Sequence, residues 1–192
     1  GTLVLDGFNA YHGGTTVAGG VLEIGDASNP GAGVLGDVTV QGAILSGYGE
    51  IGGNLGNSAG GIVVPGIGGA LTGRGNYSQG PTGMLRIELG PNASSQLNVL
   101  GTANLGGALD LIYDPGVVVG KEYLVLGAAG VTGRFAATEG TPPQGYLPVL
   151  TYTPTQVDVA FEPAVNGAAD SIWSSLTSAM IENAQNANAA LM

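Results

Sequence analysis

The chain contains no cysteine, which removes disulfides, thiolate metal sites and thiol catalysis from consideration. Basic residues are almost as scarce. Arg74, Arg86, Lys121 and Arg134 are the only four, they do not cluster, and the net charge is -10. Phosphate backbones and anionic lipid surfaces both attract clustered Lys and Arg, so neither nucleic-acid binding nor attraction to anionic membranes is expected. Charged residues make up 9% of the chain, against about 25% in an ordinary domain. His12 is the single histidine, so a metal site built on imidazole is not expected. No run of about 18 apolar residues is present to span a membrane as a helix. No signal-peptide pattern is read either, and the sequence opens in mid-pattern at Gly1-Thr2-Leu3-Val4-Leu5, which reads as part of something larger.

What the chain does have is glycine, 37 of 192 residues, together with 44% hydrophobic residues. The glycines follow no strict three-residue period, which rules out collagen. The short aliphatic runs rule out disorder. A turn-dense β architecture remains. Short alternating segments each run into a Gly-rich turn: Leu3-Val4-Leu5, Leu22-Glu23-Ile24, Val38-Thr39-Val40, Leu85-Arg86-Ile87-Glu88-Leu89, Leu109-Asp110-Leu111 and Val157-Asp158-Val159. Period-2 alternation places the aliphatics on a buried face and the polar member in solvent. Gly1-Thr2-Leu3-Val4-Leu5 returns nineteen residues later as Gly20-Val21-Leu22-Glu23-Ile24. A spacing of about one solenoid turn favours a parallel β-solenoid over an antiparallel sandwich. Leu3, Leu5, Leu22, Ile24, Val38 and Val40 are expected to point inward, with Gly and Asn supplying positive φ at the corners.

Near residue 80 the texture changes. Longer strands are expected over 84–89, 95–100, 108–113, 122–127, 147–152 and 156–161, the last two joined by a hairpin at Thr153-Pro154-Thr155, with Pro148 marking an edge strand. This divides the chain into coils over 1–80, a cap module over 81–163 and a tail over 164–192. Within the tail, 168–190 lacks Pro and Gly and carries Ile172, Leu176 and Met180 near one helical face. A helix there is expected to be marginal alone and to need a partner.

Chemistry is hard to find. The fourteen carboxylates sit singly among aliphatics or in turns, and their expected state is solvated. His12 lies in a turn without a GxSxG motif. Gly47-Tyr48-Gly49-Glu50-Ile51-Gly52 fits GxGxxG but no helix follows. No catalytic, cofactor-binding or metal-ligating residue is named, and the chain is expected not to be an enzyme. A solenoid carbohydrate hydrolase stays open as an alternative, to be recognised by two carboxylates about 5–10 Å apart in a groove. So does an adhesin segment, to be recognised by a contiguous exposed apolar patch.

The series of motifs resembles one family. Gly1 to Val17, with Gly7-Phe8-Asn9-Ala10-Tyr11 and Gly13-Gly14-Thr15-Thr16-Val17, followed by Gly20-Val21-Leu22-Glu23-Ile24-Gly25, is similar to the passenger-associated repeat of bacterial autotransporters. Gly75-Asn76-Tyr77-Ser78-Gln79, Gly83 to Leu89, Ala103 to Leu111, Tyr123 to Leu126 and Val131 to Phe135 resemble the pertactin-like autochaperone region. The resemblance implies a right-handed parallel β-helix with a C-terminal β-hairpin cap and a short α-helical linker. It also implies a non-catalytic stem that nucleates folding at the cell surface during type V secretion. The implied partners are the protein's own C-terminal β-barrel translocator, the outer-membrane assembly machinery and periplasmic chaperones. The implied location is the bacterial surface, outer-membrane-anchored or secreted after passage through the periplasm, in a virulence or adhesin setting.

Overall fold

A computed structural model describes residues 1–164 and is all-β over them. The expected helical linker lies outside the described residues.

Each of the first four coils contributes three short strands. They are β1 Thr2–Leu5, β2 Phe8–Asn9 and β3 Thr15–Val17, then β4 Val21–Ile24, β5 Gly33–Val34 and β6 Val38–Gln41. The next are β7 Ile44–Gly47, β8 Glu50–Ile51 and β9 Leu55–Ser58, then β10 Ile62–Pro65, β11 Ala70–Gly73 and β12 Tyr77–Gln79. From β13 Met84–Leu89 onward the strands lengthen and two faces merge into one strand per coil: β14 Gln96–Leu105, then β15 Ala108–Tyr113 and β16 Tyr123–Gly133. The merged strand keeps the old corner as a register shift between Val99 and Thr102. β17 Ala137–Glu139, β18 Tyr146–Tyr152 and β19 Gln156–Pro163 complete the order.

One sheet, sheet A, stacks β1-β4-β7-β10-β13-β15-β17, all in parallel. The first turn pairs Leu3 with Leu22 and Leu5 with Ile24, the repeat read from the sequence. Parallel stacking does not stop where the texture changes near residue 80; β13, β15 and β17 extend the same sheet. Leu22, Ile24, Val38 and Val40 are buried as expected, and they belong to one core that runs on through Leu85, Leu109 and Val159. Leu3 is the exception at 59% exposed. It stands on the inward row, but no strand covers the outer edge of β1 among the described residues, so the core is open at that end.

The corners differ from expectation in an instructive way. The only non-glycine residue at positive φ among those described is Ala59, so the corner asparagines serve another purpose. Asn54 donates its N–H to Asp37 Oδ1 (2.7 Å), Asn76 to Asn54 Oδ1 (2.9 Å), and Thr102 to Asn76 Oδ1 (2.9 Å). Each side chain accepts from the next coil, as Asx residues do locally in turns. The approach requires glycine before each rung: a Cβ on Gly75 would fall 2.7 Å from Asn54 Oδ1, and one on Gly101 2.5 Å from Asn76 Oδ1.

Candidate functional site: the C-terminal cap and the polar core beneath it

In the second sheet parallel stacking ends at β16. One side of it pairs with β14 in parallel; the other pairs with β19 in the opposite direction, Tyr123 against Val159 and Gly127 against Gln156. β18 then pairs antiparallel with β19 and nothing else, so Pro148 sits on an edge strand, where its missing N–H does no harm. In that sheet the reversal of direction removes the template that a further parallel coil would need, and a Pro-bearing edge resists unwanted pairing.

Alternation puts Val157, Val159 and Phe161 of β19 inward, all buried. Phe161 stands between two tyrosines, with ring centroids 5.8 Å from Tyr113 and 6.2 Å from Tyr123, the latter edge-on. Both distances suit attractive aromatic pairing. Tyr123 is buried, and its hydroxyl accepts the Val118 N–H (2.9 Å), which ties the 114–121 loop to the seam. A second contact joins Phe135 to Tyr152, where the Phe135 N–H donates to the Tyr152 hydroxyl (3.2 Å). Lys121 lies 4.8 Å over the Tyr123 ring and Arg134 lies 4.4 Å over Tyr152. Burial, and then the charge of Asp110, push the Tyr113 phenol up to about 12; burial raises Tyr152 as well. The sequence shows these aromatics as scattered. Chain spacing does not reveal the seam, although Tyr123 and Phe161 share strand parity with the inward Val125 and Val159.

Beneath the cap the core holds a polar cluster. Asn57, Tyr77 and Gln79 are all buried. Gln79 Nε2 lies 2.7 Å from the Gly106 carbonyl, 2.9 Å from that of Ala108 and 3.1 Å from that of Gly83, and Gln79 Oε1 accepts the Tyr77 hydroxyl. Asn57 donates to the Met84 carbonyl (2.9 Å) and to the Tyr77 hydroxyl (3.4 Å). Burial drives the Tyr77 phenol pKa upward, so it stays a neutral donor. These three residues tie successive coils together at the place where strands lengthen.

The carboxylates are mostly solvated, with corrections at Asp110 and Asp158. Asp110 is 8% exposed because Arg86, one coil below in register, grips it at 2.7 Å. Asp158 is 5% exposed and accepts from Gln156 Nε2 at 2.7 Å. Glu88 meets Asp114 across a corner, where partial burial, then the neighbouring carboxyl, raise its pKa. A carboxyl so raised is more readily protonated folded than unfolded, so its favourable contribution holds at acid pH and is lost as pH rises through the folded value. The Glu88→Gln chain is therefore expected to be the more stable at pH 7, by under about 1 kcal/mol for a half-buried pair that solvent still screens, with the gap closing toward pH 4. Urea midpoints at the two pH values read this directly.

Among the described residues no group of three His, Cys, Asp or Glu side chains converges as metal ligands do. His12 is exposed, and the Gly47–Gly52 segment is the turn from β7 into β8.

Residues 1–24 match the family model of the passenger-associated-transport-repeat. Those residues span β1 through β4, one complete coil and the strand that stacks on it. No curated protein matches the chain. The repeat supports an autotransporter passenger and suggests a secreted or surface-exposed protein.

Proposed function

We propose that this chain is a non-catalytic stem and autochaperone segment of an autotransporter passenger, whose cap nucleates folding of the coils before it. The observation that carries this reading is the reversal at β16–β19, sealed by the Tyr113–Phe161–Tyr123 seam over a core continuous with every upstream coil. A solenoid is stabilised by nearest-neighbour contacts, so a closed, aromatic-sealed end is where propagation can start. The proposed setting is passage through the outer membrane, with the protein's own β-barrel, the assembly machinery and periplasmic chaperones as partners.

The test uses the full-length parent. Phe161→Ala should slow the appearance of protease-resistant passenger at the cell surface, whereas a solvent-facing change in the same strand, Glu162→Gln, should not. Equal secretion and equal protease resistance for Phe161→Ala would reject the nucleating role. The purified chain is expected to turn over neither polysaccharide nor ester.

A further inference from the structure

Sheet A presents two different surfaces. Its inward side is core. On its outward side one register row begins at Thr2 of β1 and from β4 onward reads Val21, Ile44, Ile62, Met84, Ala108 and Ala137, an unbroken line of half-buried to exposed apolar side chains. The equivalent outer row of the other sheet reads Thr16, Thr39, Gly56, Ser78, Asn104 and Thr132, with no aliphatic in it. The difference is not required by the core, which lies on the opposite side of both rows.

Carboxylates flank the apolar row. Glu23, Asp110 and Glu139 stand two residues along the same strands, and Glu88 and Asp114 lie beyond. Sheet A carries one basic side chain, Arg86, and Asp110 holds it. Near its C-terminal end the row opens into a shallow groove of ≈ 260 Å³ floored by Met84, Ala108 and Ala137 and closed by Glu139.

We propose that this face is a docking strip for a cationic amphipathic helix of another protein. Charge selects the sign of the partner. A second copy of this chain is a poor occupant, because Arg74 is paired with Glu50, Arg86 with Asp110, and Lys121 and Arg134 lie over tyrosine rings. Residues 165–192 are a poor occupant too, since they contain Asp170 and Glu182 and no Lys or Arg. Spacing selects the helix. Rungs of a sheet recur every ~4.8 Å, close to the ~5.4 Å pitch of a helix, whereas an extended strand repeats a face only every ~6.8 Å. Six rungs span about 24 Å, the length of roughly 16 helical residues. Lysines flanking the apolar stripe of such a helix would meet Glu23 and Glu139.

The probe is a fluorescein-labelled 18-residue Leu/Lys helix with one apolar stripe, beside a scrambled peptide of the same composition, titrated against the full chain by anisotropy. Saturable binding of the helix, at least tenfold weaker for the scrambled peptide and for the Ile62→Ser/Met84→Ser chain, supports the strip. Glu23→Gln/Glu139→Gln should weaken binding several-fold, and Glu122→Gln/Glu162→Gln, the same charge change elsewhere, should not. Equal loss from both charge pairs, equal binding of the scrambled peptide, or no saturation by 100 μM (roughly −5.5 kcal/mol) overturns it. Should the serine variant unfold, broadening of the Ile44, Ile62 and Met84 methyl signals of the parent chain by a spin-labelled helix decides the matter. Broadening spread evenly over all faces rejects the strip.

Discussion

The Phe161→Ala chain is expected to unfold with about 3–5 kcal/mol less free energy than the parent chain. Phe161 is 9% exposed, and its ring touches both Tyr113 and Tyr123, so its removal opens a cavity between β15, β16 and β19 that three separate strands would have to close. The backbone reversal at β16 cannot relax toward that cavity without breaking its own ladder to β19. The distribution of the loss matters more than its size. Each coil of a solenoid leans on its neighbours, so amide exchange should quicken most in β16 and β15 and progressively less toward β7 and β4. Leu109→Ala, expected to cost about 2–5 kcal/mol, sits in the interior of sheet A beneath the same cap and should show the same gradient from a point further in. Native-state hydrogen exchange on both chains measures this. A uniform increase across all coils would mean that the stack melts as one unit and that the cap is no special nucleus.

The stacking itself is legible in the amino-acid sequence, and the reason is physical. A solenoid writes each contact locally, so an aliphatic–x–aliphatic triplet such as Leu22-Glu23-Ile24 contains both the strand and its inward face. The strands 84–89 and 108–113 coincide with β13 and β15 for that reason. The hairpin at Thr153–Thr155 is also found where Pro and Thr place it. Strand lengths are less legible. β14 and β16 run on past the expected 95–100 and 122–127, because a corner such as Gly101 can be flattened into a bulge, and composition does not say which corner will be. Leu3 fails as a core residue through position in the stack, not through pattern. Asp110 fails as a solvated carboxylate because its partner Arg86 lies one coil away, at a distance along the chain that no local pattern encodes.

The cap site was half visible. Its strands follow from alternation, but the seam of Tyr113, Tyr123 and Phe161 depends on the antiparallel return of β19, and that return depends on a loop whose composition, Pro142-Pro143-Gln144-Gly145, says only that it is a loop. The polar cluster is not legible in the sequence. Asn57 and Gln79 occupy positions where the preceding coils have aliphatics: Val17, Val40 and Asn57 share one inward row, and Gln79 pairs with Asn57. A reader of the sequence assigns those two residues to the outside by polarity, although parity assigns them to the inside. Parity wins here because inward-facing turn carbonyls need donors, and Gln79 and Asn57 supply them.

That conflict between polarity and parity makes Gln79→Leu the sharpest test of what the cluster does. By shape leucine suits the site, and the row would become more like Val17 and Val40. By hydrogen bonding it does not. The carbonyls of Gly106 and Ala108 lose the amide donor, that of Gly83 keeps only the Ala108 N–H (3.0 Å), and the hydroxyl of buried Tyr77, held neutral, loses its acceptor. Each buried polar group left unsatisfied costs about 1–3 kcal/mol, so the single change is expected to cost about 3 kcal/mol or more, well beyond what the gained apolar area returns. Adding Tyr77→Phe to Gln79→Leu removes one stranded group. The double change should therefore cost less than the two single changes together, with a coupling of about 0.5–3 kcal/mol as found for directly bonded neighbours. Urea unfolding of the four chains of this cycle provides the numbers. A Gln79→Leu chain as stable as its parent would show that the carbonyls are satisfied without the amide, as happens when a buried polar set is replaced by apolar residues at no loss. The junction between short-stranded and long-stranded coils would then owe its register to the Asp37–Asn54–Asn76 corner ladder alone.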